Sequence, residues 1–359
     1  MKFIHASDFH LCRSFNSSSL PSNIARELRQ RLFRVFFDII KTCMDEQVDV
    51  LLLSGDILEG EYATISEVKR IADAFATIKK TKVFISCGNH DPLTETSLYK
   101  IIEFPENVHI FSSEFSYVEL DEHNARVYGF SWDKKYYDEC PFEFEELDKS
   151  RINILNLHCD VFNKSRYMPI NADDISCVGY DYVALGHIHK SQQVKSNIFY
   201  AGSCEALDFN EDGRHGYFYG EISPEKKLTV KFKGLHSGVL FESVKVMLSA
   251  DMGYEDIKQA VFSSCKIDIK KNIFKIIFKG TVNNQVDLSR LMVEMSEEFY
   301  HVKFKDNTTP DYDIIKLCKE NQDNIIGRYI DSLRTEIQSD PIAFGALKVG
   351  LNALLEQEN

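Results

Sequence analysis

The sequence has no C-x-x-C pair, and its nine cysteines are scattered from Cys12 to Cys318. An odd, dispersed set excludes a disulfide framework and a zinc ribbon, and suits thiols kept reduced as small buried hydrophobes. No run approaches the ~20 apolar residues needed to cross a bilayer. Met1-Lys2-Phe3-Ile4-His5 passes straight into the polar Ser7-Asp8-Phe9-His10 with no apolar h-region. We therefore expect no signal peptide, no membrane association and a cytoplasmic location. Positive charge is also short: 42 Lys and Arg stand against 55 Asp and Glu, a net charge of −13. A nucleic-acid binder working by simple electrostatics would be basic. Such a partner would need metal ions, a local basic patch or another subunit to supply positive charge. What remains is ordinary globular composition, 44% hydrophobic and 27% charged over 359 residues, enough for about two domains and a small further element.

Hydrophobic periodicity divides the chain. Residues 2–6 read as a strand, and 24–46 carry helical spacing through Ile24, Leu28, Leu32, Val35, Phe36 and Ile39. A polar Ser/Asn loop covers 14–23 between them. Val48 to Ser54 is a continuous apolar strand, 64–79 a helix, and 82–86 another strand. This alternation indicates right-handed βαβ units and a buried sheet, an α/β class. Short strands follow at 108–111 and 125–130, then an acidic, aromatic surface excursion over 133–150. Further strands are read at 151–157, 182–185, 198–201, 216–222 and 227–234. After about Gly234 the order strand, helix (254–263), strand (273–279), helix (287–299), strand (300–305) suits a small α+β domain. Residues 310–324 read as a polar linker, and 325–357 as two apolar helices that must dock on something. The expected division is 1–235, 236–309 and 310–359.

Five of these strands end in residues that can bind metal: Asp8 with His10, Asp56, Asn89 with His90, His158, and His187 with His189. A single Asn, Asp or His after a strand is usually a turn former or a structural residue. Five such coincidences at the carboxyl ends of strands, where open α/β sheets place their sites, are a different matter. Two pairs have i, i+2 spacing, which on extended backbone points both side chains to one side. Imidazole and carboxylate without thiolate suit Mn²⁺, Fe or Zn²⁺ better than Ca²⁺. The donors suffice for two ions, the arrangement used for phosphoester hydrolysis. His5, His109, His123, His215, His236 and His301 lack this context. Arg13, Lys164, Arg166 and Lys190 flank the motifs and read as solvated cations.

Together, Asp8-x-His10, Gly55-Asp56, Gly88-Asn89-His90-Asp91, His158 and Gly186-His187-x-His189 resemble the calcineurin-like metallophosphoesterases over about 1–230. The resemblance implies a two-sheet β-sandwich flanked by helices, followed by a smaller α+β capping domain and C-terminal helices. It implies one ion on Asp8, His10 and His189, another on Asn89, His158 and His187, and Asp56 bridging them. His90 is then the catalytic histidine that is not a ligand, and Asp91 its orienting partner. The contexts His5-Ala6-Ser7-Asp8-Phe9-His10-Leu11 and Tyr182-Val183-Ala184-Leu185-Gly186-His187-Ile188-His189-Lys190 look like the SbcD/YhaO-type DNA repair exonucleases, as does Gly202-Ser203. That group implies a Mn²⁺-dependent nuclease acting on DNA, a homodimer, and an SbcC/YhaN-like coiled-coil ATPase partner docked on the C-terminal helices. The chain departs from the group at Cys12, at Ala201, and at Glu59, where His or Asp is usual. The alternatives are a phosphodiesterase or nucleotidase for a small nucleotide, and a metal-bearing scaffold without activity.

Overall fold

The computed structural model describes every residue except 16–19, 163–164, 212, 236–238, 284, 335–340 and 356–359. Two compact units divide it, 1–239 and 240–359. In the first, the elements run β1 (Lys2–Ala6), α1 (Ser22–Asp45), β2 (Val50–Leu53), α2 (Ile65–Thr77), β3 (Lys82–Ile85), α3 (Leu98–Ile101), β4 (Val108–Ile110), β5 (Ser116–Leu120) and β6 (Ala125–Gly129). They continue as β7 (Ile152–His158), α4 (Ala172–Val178), β8 (Tyr182–Gly186), β9 (Gln192–Lys195), β10 (Ile198–Tyr200), β11 (Gly216–Ile222) and β12 (Leu228–Gly234).

Among the described residues these strands form two six-stranded sheets, ordered β12-β11-β1-β2-β3-β4 and β5-β6-β7-β8-β10-β9. Strands β1 to β4 are parallel neighbours, as are β6, β7, β8 and β10. Phe3, Val50, Leu52 and Phe84 of the first sheet pack against Val127, Ile154, Tyr182 and Ala184 of the second. The alternate residues Ile4, Leu51, Leu53 and Ile85 are also buried. Burial on both faces explains why these strands read as unbroken apolar runs. Helix α1 buries Leu28, Leu32, Phe36 and Ile39, and Phe36 meets Phe75 of α2 with ring centroids 5.5 Å apart. Thr64 and Glu67 form a reciprocal capping box that starts α2. The result is the two-sheet sandwich flanked by helices that the motifs implied.

Two details refine the sequence reading. The 133–150 segment runs over the surface as read, but it is pinned there. Tyr137 and Leu147 are buried in the cluster on the outer face of the second sheet, and Phe142 and Phe144 pack against it. Residues 310–324 are more than a linker, as the second unit makes plain. That unit comprises β13 (Phe241–Leu248), α5 (Tyr254–Ser264), β14 (Ile273–Val282), α6 (Leu288–Ser296), β15 (His301–Pro310), α7 (Ile314–Glu320), α8 (Ile325–Leu333) and α9 (Pro341–Leu355). Its parallel β13-β14-β15 sheet buries Val246, Ile276 and Phe278 under Val261 of α5 and Leu291 of α6. Ile326 and Ile330 of α8 close on Leu347 and Leu351 of α9. Among the described residues no helix is long and apolar enough to cross a membrane.

Candidate metal centre

The turns after β1, β2, β3 and β8 meet the last residue of β7 in one place. The backbone there is not extended. Asp8 (φ 49°), His10 (φ 47°), Asp56 (φ 51°) and His187 (φ 100°) all lie at positive φ. The i, i+2 pairs therefore converge through bent loops, and not through the pleat that their spacing suggested. Left-handed backbone costs a residue other than glycine about 1–3 kcal/mol and persists only where the surroundings enforce it. Here Asp8 N–H donates to Gly55 O (3.0 Å), His10 N–H to Asp56 O (2.9 Å) and Leu11 N–H to Ile57 O (2.9 Å). Glycine is required at Gly88, where a Cβ would sit 2.3 Å from Asp56 Oδ1, and at Gly186, where it would meet Ser54 O at 1.8 Å.

Ligand atoms of Asp8, His10 and His189 lie within 4.8 Å of one another. So do those of Asp8, Asp56 and His158, and those of His10, Asp56 and His90. Asp56 Oδ2 stands between His158 Nε2 (3.3 Å) and His10 Nε2 (3.8 Å). Asn89 Oδ1 faces His158 Nε2 at 3.0 Å. His187 joins none of these groups. Its backbone N–H donates to Asp8 (3.1 Å), and its ring lies 5.3 Å from that of His158 and 4.7 Å from that of Tyr167.

The outer nitrogens decide what the inner ones offer. His10 Nδ1 is paired with Glu59 Oε2 (3.1 Å) and His189 Nδ1 with Glu211 Oε1 (2.6 Å), while His158 Nδ1 meets Ser54 O (2.9 Å). All three partners are acceptors, so each Nδ1 carries its proton. Whenever such a ring is neutral, it presents an Nε2 lone pair inward. His10 and His189 bring two such lone pairs to 3.2 Å, and His158 directs its own at Asn89 Oδ1 and Asp56 Oδ2. Acceptor facing acceptor is repulsive unless a cation lies between them. A proton can partly serve. The carboxylates raise His158 and His189 to about 9 against the opposing effect of burial. Burial pushes against Asp56 ionising, yet the imidazoles of His158, His10 and His90 hold its carboxyl far below the usual range. This donor set fits divalent cations, with second partners fixing the rings as metal-bound histidines require.

His90 sits at the rim, its backbone N–H donating to Asp56 Oδ1 (2.8 Å). Its Nδ1 pairs with Glu59 Oε1 at 2.6 Å. Glu59, not Asp91, therefore orients the ring. Asp91 points the other way and accepts from the N–H groups of Asp56, Ile57, Leu58 and Gly88 and from Tyr99 O–H, at 2.7–3.2 Å. The turn explains this, because Asp91 closes back on its own Gly88 and clamps the Asp56 loop. Burial works against Glu59 ionising, but His10 and His90 bring it down to about 2. Glu59 drew notice in the sequence only as a departure from its group, and Glu211 gave no signal at all. A cavity of about 530 Å³ opens beside His90, lined by Arg13, Phe15, Glu59, Tyr62 and Lys135 among others. Of the other flanking cations, Arg166 is paired with Asp138 (2.9 Å). Lys164 lies outside the described residues, as does His236. Cys12, Cys87 and Cys159 are buried, and burial raises all three thiols.

Comparison with known proteins agrees with this geometry. Residues 1–191 match the calcineurin-like phosphoesterase family. The uncharacterized metallophosphoesterase YhaO of Bacillus subtilis (strain 168) is 30% identical over 298 residues, covering 78% of this chain and 72% of YhaO. The SbcD component of the SbcCD nuclease from Staphylococcus saprophyticus is 23% identical, over 94% of each chain. Its counterpart in Staphylococcus epidermidis is 22% identical, over 95% of this chain and 97% of the relative. The chain belongs to the calcineurin-like phosphoesterase family, whose members are metal-dependent phosphoesterases.

Proposed function

We propose that the chain is a two-metal phosphodiesterase that hydrolyses DNA at its ends, as the nuclease subunit of an SbcCD-like complex. The observation that carries this reading is the convergence of the Nε2 atoms of His10, His158 and His189 with the Asp8 and Asp56 carboxylates. One ion would be held by Asp8, His10 and His189 and the other by Asn89 and His158, with Asp56 shared and Mn²⁺ the physiological metal; His187 would join the second only by the family resemblance, since its ring lies outside these groups. When bound, the ions supply Lewis-acid stabilisation of the phosphate oxygens and an acidified water. The protein's own contribution is positional and protonic. Glu59 fixes His90 through Nδ1 and favours its protonated form, which keeps Nε2–H as a donor. As the new P–O bond forms and the ester P–O bond breaks, the departing oxygen takes that proton. The buried Asp91 holds the Asp56 loop so that these groups keep their places.

The names of the staphylococcal relatives support nuclease activity and a complex with a second component. The exposed Ile315, Ile325 and Val349 of α7–α9 suit docking by a coiled-coil ATPase. A homodimer and a cytoplasmic location complete the reading. One feature favours a second substrate class: the cavity beside His90 is of a size for a single nucleotide.

The test compares Mn²⁺-dependent turnover on linear duplex, single strands and bis-p-nitrophenyl phosphate. We expect Asp56→Asn to abolish hydrolysis of all three. His90→Ala should lose turnover while calorimetric titration still finds the wild-type Mn²⁺ stoichiometry. Near-normal cleavage by Asp56→Asn would overturn the mechanism. Activity confined to small esters would transfer the assignment to a nucleotide phosphodiesterase.

A further inference from the structure

We propose that Ser203 and His215 are positioning residues that act through Glu211 on His189, and so set the affinity of the ion that His189 holds. The assignment of His189 as a ligand rests on the function proposed above, whereas the hydrogen bonds behind it do not. The Gly202-Ser203 turn is built against the loop that carries this histidine. Gly202 lies at φ 76°, and a Cβ there would meet Ser191 N at 2.5 Å and His189 O at 2.7 Å. Glycine lets the turn come this close, and Ser203 N–H then donates to His189 O (2.9 Å). From there the buried Ser203 hydroxyl reaches Glu211 Oε2 at 2.9 Å, and Glu211 Oε1 meets His189 Nδ1 at 2.6 Å. One residue further out stands the buried His215. Its Nδ1 lies 3.1 Å from Ser203 Oγ and 3.2 Å from Ser203 O.

The partners fix the direction of each bond. The Ser203 carbonyl can only accept, so His215 Nδ1 carries its proton and donates to both oxygens of Ser203. The Ser203 hydroxyl proton then needs an acceptor. Two are in reach, Glu211 Oε2 at 2.9 Å and His189 O at 3.3 Å. The carboxylate is nearer and charged, and takes it. Leu207 N–H donates to the same oxygen (3.0 Å), so two donors hold Oε2 and leave Oε1 facing His189. Among the described residues His215 Nε2 has no hydrogen-bond partner. A buried polar atom left so costs free energy, and an apolar side chain would fill the place without that cost. What the imidazole contributes is therefore its Nδ1–H bond to Ser203. The three ligand histidines differ in what backs them. Glu59 reaches His10 and His90 together, and His158 is backed by the Ser54 carbonyl. Glu211 backs His189 alone, so this branch can tune one ion without moving His90 or His158.

The test is calorimetric titration of the metal-free full chain with Mn²⁺. We expect Ser203→Ala to weaken one of the two ions about tenfold, the lower end of what partners of metal-bound histidines contribute, and to leave the other unchanged. Its melting temperature in chelator should be that of the wild type, because His215 Nδ1 keeps Ser203 O and Glu211 keeps Leu207 N–H. His215→Leu should weaken the same ion. His215→Asn, whose amide N–H can stand where Nδ1–H does, should restore it. Glu211→Gln should weaken that ion at least as far as Ser203→Ala does. Adding Ser203→Ala to Glu211→Gln should then cause no further loss, since the serine acts through the carboxylate. Wild-type affinity in Ser203→Ala or His215→Leu overturns the inference, as do equal losses at both ions or additive losses in the double variant. If the wild type binds two Mn²⁺, one of them dependent on Ser203, and cleaves no DNA, only the proposed function fails. If it cleaves DNA while Ser203→Ala binds both ions as the wild type does, only this inference fails.

Discussion

Two carboxylates on either side of His90 have separate tasks, and each substitution should report its own. Glu59 bridges His10 and His90 from outside the lone-pair cluster. Glu59→Gln keeps the shape but removes the charge, and partners of this kind are worth about 10–100-fold in activity or metal affinity. We expect a loss of that size in turnover or Mn²⁺ affinity, with an unaltered melting temperature in chelator. Asp91→Asn should do the reverse. An amide there turns an N–H donor toward backbone N–H groups that need an acceptor. We expect a loss of about 2–4 kcal/mol in urea unfolding before any effect specific to the chemistry. An Asp91→Asn protein of wild-type stability with lowered turnover would return the orienting role to Asp91. The contrast also marks what the sequence can display. Asp8, His10, Asp56, Asn89 and His158 were legible because each follows an apolar run and strands end where sites are. Glu59 and Glu211 were not, because their partners, His90 and His189, are brought to them by the folded loops and not by any spacing.

At the scale of the element, β1 carries a buried ionisable residue unrelated to the site. Inside the sandwich, His5 pairs through Nδ1 with Tyr182 O–H (2.9 Å) and through Nε2 with Leu185 O (3.2 Å). The carbonyl must accept from Nε2–H, so Nδ1 accepts from the tyrosine and the neutral ring satisfies both contacts. Burial lowers its pKa from 6.5 to about 3, with the Leu185 carbonyl pulling weakly the other way. Above pH 6.5 both folded and unfolded forms are neutral, and stability is complete. As pH falls from 6.5 toward 3, only the unfolded chain takes up the proton, so stability declines. Between pH 7 and pH 5 this residue alone should cost about 2 kcal/mol. Urea unfolding in chelator at the two pH values, for wild type and His5→Gln, isolates it, because other groups cancel in the difference. An equal pH dependence in both proteins would contradict the buried neutral ring. Elements were legible where burial left a pattern, an unbroken apolar run in β1, β2 and β3 and a helical period in α1. Helix α4, seven residues with two aspartates at its start, left no such period, and β9 is too short and polar to have one. The 133–150 segment was legible as surface from its charges, but not that the aromatic residues between them pin it to the second sheet.

For the whole molecule, every proposed ligand belongs to the unit formed by residues 1–239, and none to 240–359. Metal should therefore stabilise one unit selectively. A cation that binds only the folded form adds about 2.7 kcal/mol per site at a hundred times its dissociation constant. The strained turns at Asp8, His10 and Asp56 should gain most, since their ligand atoms crowd one another without a cation. Hydrogen exchange with Mn²⁺ and with EDTA tests this directly. We expect added protection in peptides covering 7–12, 54–59, 87–91 and 186–190, and none in β13–β15 or α7–α9. Metal-dependent protection spread evenly over both units would mean that the cation acts on something other than the Asp56 cluster.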